Sequence, residues 1–233
     1  MRFLARDFLA FARRPTRRHP RGAGLKAGAS AIAVLLGLSA LFTLLVCLPI
    51  LRILHDTIGL VTNPHVETGT YLFSAVAIAP ILEELMCRAG LRNPRWSVLG
   101  MCAMGLTLCQ SQTVTLCTVA VIGAPWLADW MCRRRLSPQA LIRLRWKRGR
   151  AFLGHYPLVV YCNVILFACA HFSNFIPSAG IGWKNALLVL TVLSQSMNGL
   201  VFSYLRLRHG LRYAIAAHFL WNAGAVSVTL LGQ

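Results

Sequence analysis

Residues 27–51 (AGASAIAVLLGLSALFTLLVCLPIL) carry no charged side chain. At about 1.5 Å of rise per residue, a helical run of that length crosses about 30 Å of hydrocarbon. Inside a bilayer the backbone must satisfy its own polar groups, so such a run commits the chain to a helical architecture. It is too long for the apolar core of a secretory leader, and no A-x-A pattern follows it, so it is expected to be a retained first span. The composition agrees: 57% hydrophobic and 13% charged residues exclude both a disordered chain and an ordinary soluble domain.

Further apolar stretches fall at about 70–92, 97–131, 155–173, 184–205 and 212–230. The stretch 97–131 is broken by Gln110, Ser111, Gln112 and Thr113, so it is either one long tilted helix or a tight hairpin. With a hairpin there, the expected fold is an all-α, polytopic transmembrane bundle of about seven spans. It divides into a basic N-terminal segment, 1–26, and a membrane-embedded domain, 27–233, with an insertion at about 97–150. Within the first segment Phe3, Leu4, Phe8 and Phe11 alternate with Arg2, Arg6, Arg13 and Arg14. That pattern suits a short interfacial helix, and a disordered basic tail is the alternative.

The net charge of +18, from 24 Lys plus Arg against 6 Asp plus Glu, would in a soluble chain point to nucleic acid. Its distribution points to topology instead, because positive charge is retained on the cytoplasmic side of a membrane. With a cytoplasmic N-terminus and a hairpin at 97–131, 21 of the 24 basic residues lie on that side. Arg52 and Lys184 lie outside, and Arg88 lies within a span. A single helix at 97–131 would export the run Arg133 to Arg150, so the hairpin is favoured. The expected setting is a bacterial cytoplasmic (inner) membrane, with anionic lipid as partner and no nucleic acid. The eight cysteines sit in apolar stretches with no C-x-x-C pair and are expected to be reduced core residues.

Two of the six acidic residues, Glu83 and Glu84, stand side by side within SAVAIAPILEELMCRAGL, where each costs about 2.5–3.5 kcal/mol on insertion scales. The plain explanation is an ion pair that fixes packing. It serves Glu84, which is four residues before Arg88 and on the same helix face. It does not serve Glu83, which is five before Arg88 and about 140° away around the axis. A carboxylate left unpaired at such a position suits a general acid or base.

His171, His218, Asn222, Gln195 and Asn198 also fall within spans. Each alone is a common interhelical hydrogen-bonding residue. Counted from the proposed cytoplasmic ends, Glu83, His171, His218 and Asn222 lie about 14, 24, 9 and 15 Å deep, which brackets one layer near mid-membrane. His218 and Asn222, four apart, share a face. A base, an imidazole and two hydrogen-bond donors are the parts needed to hydrolyse an amide. No G-x-S-x-G or H-E-x-x-H occurs, so serine and classical zinc-protease chemistry fit less well. No cofactor is called for, although two histidines and a carboxylate on three helices have the composition of a zinc site.

Glu83-Glu84-Leu-Met-Cys-Arg88 (E-E-x-x-x-R), Phe167-Ala-Cys-Ala-His171 (F-x-x-x-H) and His218-Phe-Leu-Trp-Asn222 (H-x-x-x-N) together resemble the motifs of the CPBP family. This family comprises CAAX prenyl endopeptidases and bacteriocin-processing or self-immunity proteins, also called Abi. The segment Gln195 to Gly210 is similar to that family's last hairpin. The resemblance implies an intramembrane endopeptidase in which Glu83 and His171 activate water, and His218 and Asn222 form the oxyanion hole. Glu84 and Arg88 would support the site and Phe167 would line it, unless Phe167 is only a packed aromatic. Gly199 and Ser203 are better read as close helix packing. The offset of 79 positions from Arg88 to Phe167 exceeds the family's usual spacing, which implies the insertion. The expected substrate is a membrane-anchored peptide or small protein. The rival readings are a catalytically silent immunity or scaffold protein of the same fold, a metal-dependent protease, and a proton relay; oligomeric state is left open.

Overall fold

A computed structural model describes residues 2–17, 25–62, 73–93, 96–97, 99–100, 127–171, 175–177 and 189–231. Its helices are α1 (Arg2–Arg13), α2 (Leu25–Phe42), α3 (Leu48–Ile58), α4 (Ala79–Cys87), α5 (Pro138–Gly154), α6 (Tyr156–Cys169), α7 (Leu193–Arg208) and α8 (Leu211–Leu231). The all-α expectation holds with one addition, a short antiparallel ribbon of β1 (Leu60–Thr62) and β2 (Phe175–Pro177), with Val61 opposite Ile176.

The first expected span continues beyond its predicted end at residue 51. A π-helical turn, Thr43–Cys47, joins α2 to α3, and the combined helix Leu25–Thr57 is long and apolar enough to cross a membrane. It stops at Gly59, whose φ of 63° and amide hydrogen bond to the His55 carbonyl form a left-handed cap, a conformation open to glycine without steric cost. Helices α5 and α6 pass the same test only as a pair, and they are bent by 64°. Among the described residues the spans that qualify are therefore one or two, and the count of seven is not established. The hairpin expected at 97–131 lies mostly outside the described residues.

Helix α7 is the central element. It packs against α6, α8, α2 and α1 and buries residues around most of its circumference, including Asn198, Gly199, Phe202, Ser203, Tyr204 and Leu205. Gly199 lets α6 approach: a Cβ there would lie 3.2 Å from Val164 and 3.3 Å from Phe167. This is the close packing expected of Gly199. At Gly28 of α2 the place of a side chain is occupied by the Tyr213 ring of α8. The first notch lets α6 and α7 approach closely, and the second seats the Tyr213 ring of α8 against α2.

The N-terminal segment forms a helix and docks on the bundle. Phe8 and Phe11 are buried and meet the Tyr204 ring edge-on at centroid distances of 5.5 Å. Asp7 accepts hydrogen bonds from Tyr204 at 2.8 Å and Arg208 at 3.2 Å. Among the described residues Cys47, Cys87, Cys132, Cys162 and Cys169 form no disulfide.

Candidate active site

Pro80 sits at the start of α4, directly after a π-helical segment, Ser74–Ile78. A proline in a continuing helix lacks a donor, and its ring crowds the carbonyl one turn back; a widened turn relieves the clash. The Ala79 amide bonds to the Ser74 carbonyl five residues back. The next bond of that register would run from residue 80 to the Ala75 carbonyl, and Pro80 cannot make it. Asn222 of α8 supplies the missing donor, its Nδ2 lying 2.9 Å from the Ala75 carbonyl oxygen. One of its two amide hydrogens is thereby committed, and the other is left over.

The two glutamates then diverge as the helical geometry predicts. Glu84 is fully buried and accepts from Arg88 Nη1 at 2.8 Å. His218 Nδ1 lies 3.0 Å from the same Glu84 oxygen. An ionised carboxylate only accepts, so Nδ1 carries the hydrogen and Nε2 points the other way. It points at Glu83, whose Oε2 is 3.7 Å away, beyond hydrogen-bonding length. Glu83 Oε2 has no hydrogen-bond donor from the described protein atoms, and its side chain is 28% exposed where that of Glu84 is closed off.

Phe167 and Phe202 form the apolar floor. The Arg88 guanidinium lies 3.8 Å over the Phe167 ring and 5.5 Å from that of Phe202, which compensates a cation whose Nε and Nη2 make no hydrogen bond. His218 stacks on Phe202 at 4.6 Å and meets Phe167 edge-on at 5.7 Å. His171, in the turn just past the end of α6, meets Phe167 of that helix at 4.9 Å. Its Nδ1 donates to the Phe167 carbonyl at 2.8 Å, which leaves Nε2 with its lone pair free. His171 is within electrostatic range of both Glu83 and His218.

Glu83, Glu84, Arg88, Phe167, His171 and His218 are thus gathered in one cluster. Asn222 is one turn along from His218 but is engaged with the Ala75 backbone. Among the described residues no group of three or more His, Cys, Asp or Glu is disposed to hold a metal ion.

The carboxyl end of α4 shows what the motifs did not reveal. Asn163 of α6 donates to the Cys87 carbonyl at 2.6 Å, Arg206 of α7 to those of Arg88 and Ala89 at 3.1 and 3.3 Å, and Tyr156 to that of Leu91 at 2.8 Å. In return, Arg92 donates to the Leu207 carbonyl of α7 at 3.0 Å. The orphan carbonyls that end a helix are here satisfied by side chains of its neighbours. Asn163 left a signal, a lone amide in an apolar span. Phe202 left none, because its role arises only when two helices meet.

The family model for Rce1-like proteins, type II CAAX prenyl endopeptidases, matches residues 66–224. No curated protein and no solved structure matches the chain. The matched region contains all three motifs and more than half of the sequence, and on that ground the chain belongs to the Rce1-like family of type II CAAX prenyl endopeptidases, whose members are embedded in membranes.

Proposed function

We propose that this protein is a glutamate-type intramembrane endopeptidase that cuts a peptide bond in a membrane-anchored peptide or small protein. The observation that carries the proposal is the asymmetry of the two carboxylates. Each keeps one buried oxygen, Oε2, without a donor from the described protein atoms, but Glu84 is closed off and held through Oε1 by Arg88 and His218, whereas the Glu83 side chain is 28% exposed and faces the His218 imidazole at 3.7 Å.

In this reading Glu83, assisted by the free Nε2 of His171, takes a proton from water. The hydroxide attacks the scissile carbonyl carbon. The resulting oxyanion accepts from the imidazolium form of His218, which keeps its Nδ1–H on Glu84 and donates its Nε2–H, and from the uncommitted amide hydrogen of Asn222. The proton taken by Glu83 passes to the leaving nitrogen as the C–N bond breaks. Arg88 and Glu84 are not consumed; Glu84 holds the Nδ1–H and with it the direction of the His218 ring, and Arg88 holds Glu84. The setting is a bacterial inner membrane with the basic end of the bundle cytoplasmic and held by anionic lipid.

A binding-only protein of the same fold is the second reading, and one observation favours it: Asn222 is occupied by the Ala75 carbonyl rather than free. The test is cleavage of a membrane-anchored peptide library by the reconstituted full chain, wild type against Glu83→Gln, with products located by mass spectrometry. The proposal expects cleavage in the wild type and its loss in a folded Glu83→Gln protein. Equal cleavage by both would overturn Glu83 as the base, and no cleavage by either would favour the binding-only reading.

A further inference from the structure

Helix α5 contributes no buried residue to the protein. Ile142, Trp146 and Leu153, spaced to fall on one stripe, are 57%, 67% and 51% exposed. Leu141, Leu144 and Phe152 are half-buried on another side, so the stripe faces away from the protein. Beside it runs an exposed row of cations, Arg143, Lys147 and Arg150, at the same helical spacing. Residues 130–154 contain no acidic side chain. The nearby Asp129 engages Arg133 at 2.9 Å and Arg148 at 3.3 Å, and Arg143, Lys147 and Arg150 have no acidic partner among the described residues. Only His155 separates α5 from α6, and the axes differ by 64°. The bend keeps the two helices from both running along the bilayer normal; with the 14-residue α6 as the membrane-inserted part of the pair, α5 lies closer to the membrane plane than to its normal.

We propose that α5 is an in-plane docking surface for anionic lipid. Ile142, Trp146 and Leu153 enter the boundary between headgroups and acyl chains, and Arg143, Lys147 and Arg150 hold lipid phosphates beside them. An apolar stripe carrying a tryptophan and edged by cations is the pattern of a helix that lies in the interface. The charge selects anionic over zwitterionic lipid, and an acidic protein partner would have no use for the exposed stripe. Because α6 follows directly, anchoring α5 at headgroup level fixes the height of Phe167 and His171. This inference rests on membrane embedding and not on catalysis, so inactivity toward peptides would leave it standing.

The test uses the full chain in vesicles, with the fluorescence of Trp146 obtained as the difference between wild type and Trp146→Phe. Quenching by brominated phosphatidylglycerol in phosphatidylcholine is compared with the converse mixture, giving the relative association of the two lipids at that side chain. The expected result is a preference for phosphatidylglycerol of about fivefold or more, the worth of one interfacial cation. It should fall to parity when Arg143→Gln, Lys147→Gln and Arg150→Gln are combined. Equal association of both lipids in the wild type would overturn the proposal. So would a Trp146 quenched by neither lipid, which would place the stripe against protein, or a preference that survives loss of the three cations. The wild-type comparison needs no charge variant and decides the matter even where the triple variant fails to fold.

Discussion

Arg88 is a fully buried cation whose single hydrogen-bonded partner is Glu84, an equally buried anion. Removing one member of such a pair strands the other charge, which typically costs about 3–5 kcal/mol. Arg88→Met should therefore lower thermal stability sharply in detergent, and combining it with Glu84→Gln should recover part of the loss; a double variant no better than Arg88→Met would show that the pair is not the stabilising unit. His209, outside the spans and half-buried at the basic end, makes a different statement. Burial first, and then the neighbouring Arg208, push its imidazole below the ordinary value of 6.5, against the pull of Asp7. The unfolded chain then binds a proton before the folded one does, so stability is complete above pH 6.5 and falls as the pH drops through that value. A thermal melt followed across that range should show the decline, and His209→Gln should flatten that part of it. That Glu84 and not Glu83 pairs with Arg88 was legible in the sequence because it depends on positions within one helix. The stacking of His218 on Phe202 was not, since nothing local ties a residue of α7 to one of α8.

Pro80, Ala75 and Asn222 form a unit that belongs to the element rather than to any one side chain. If Asn222 replaces the donor that proline lacks, truncating it leaves a carbonyl unsatisfied, at about 1–3 kcal/mol. Pro80→Ala restores a backbone N–H near that carbonyl. The stability cost of Asn222→Ala should then be smaller in the Pro80→Ala background than in the wild type, and equal costs in a double-mutant cycle would deny the link. The capped end of α4 predicts a second effect. Arg206→Gln removes two charge-assisted hydrogen bonds to the carbonyls of Arg88 and Ala89, worth about 1.5–3 kcal/mol each. Thermal melting should register the loss, with turnover of a cleaved peptide falling more than its KM rises because the helix that carries Glu83 loses its fixed end. The motif spacings gave the order and face of the site residues, yet the capping partners come from α6 and α7, and which helix ends at which height follows only from packing.

At the scale of the molecule, the basic N-terminal segment is a structural part of the bundle. Asp7 is its only acidic residue, and it binds both Tyr204 and Arg208. Asp7→Asn should loosen α1, which hydrogen exchange would report as faster exchange over Arg2–Arg13; unchanged protection would mean that the burial of Phe8 and Phe11 suffices. The sequence separated a membrane-embedded helical protein from other classes, because long uncharged runs admit few alternatives. It could not say whether the arginine-rich start was tail or helix, since the aromatic spacing alone does not reveal that Tyr204 receives it. One feature, the bond between Glu84 and His218 across 134 positions, also bears on how the protein comes into being. As the chain leaves the ribosome, α4 enters the membrane long before α8 exists, so Glu84 and Arg88 wait together as a neutral pair while Glu83 has no imidazole from α8 to face. The helix that completes the cluster follows the other site-bearing helices in the chain, so the cluster cannot assemble until α8 has been made.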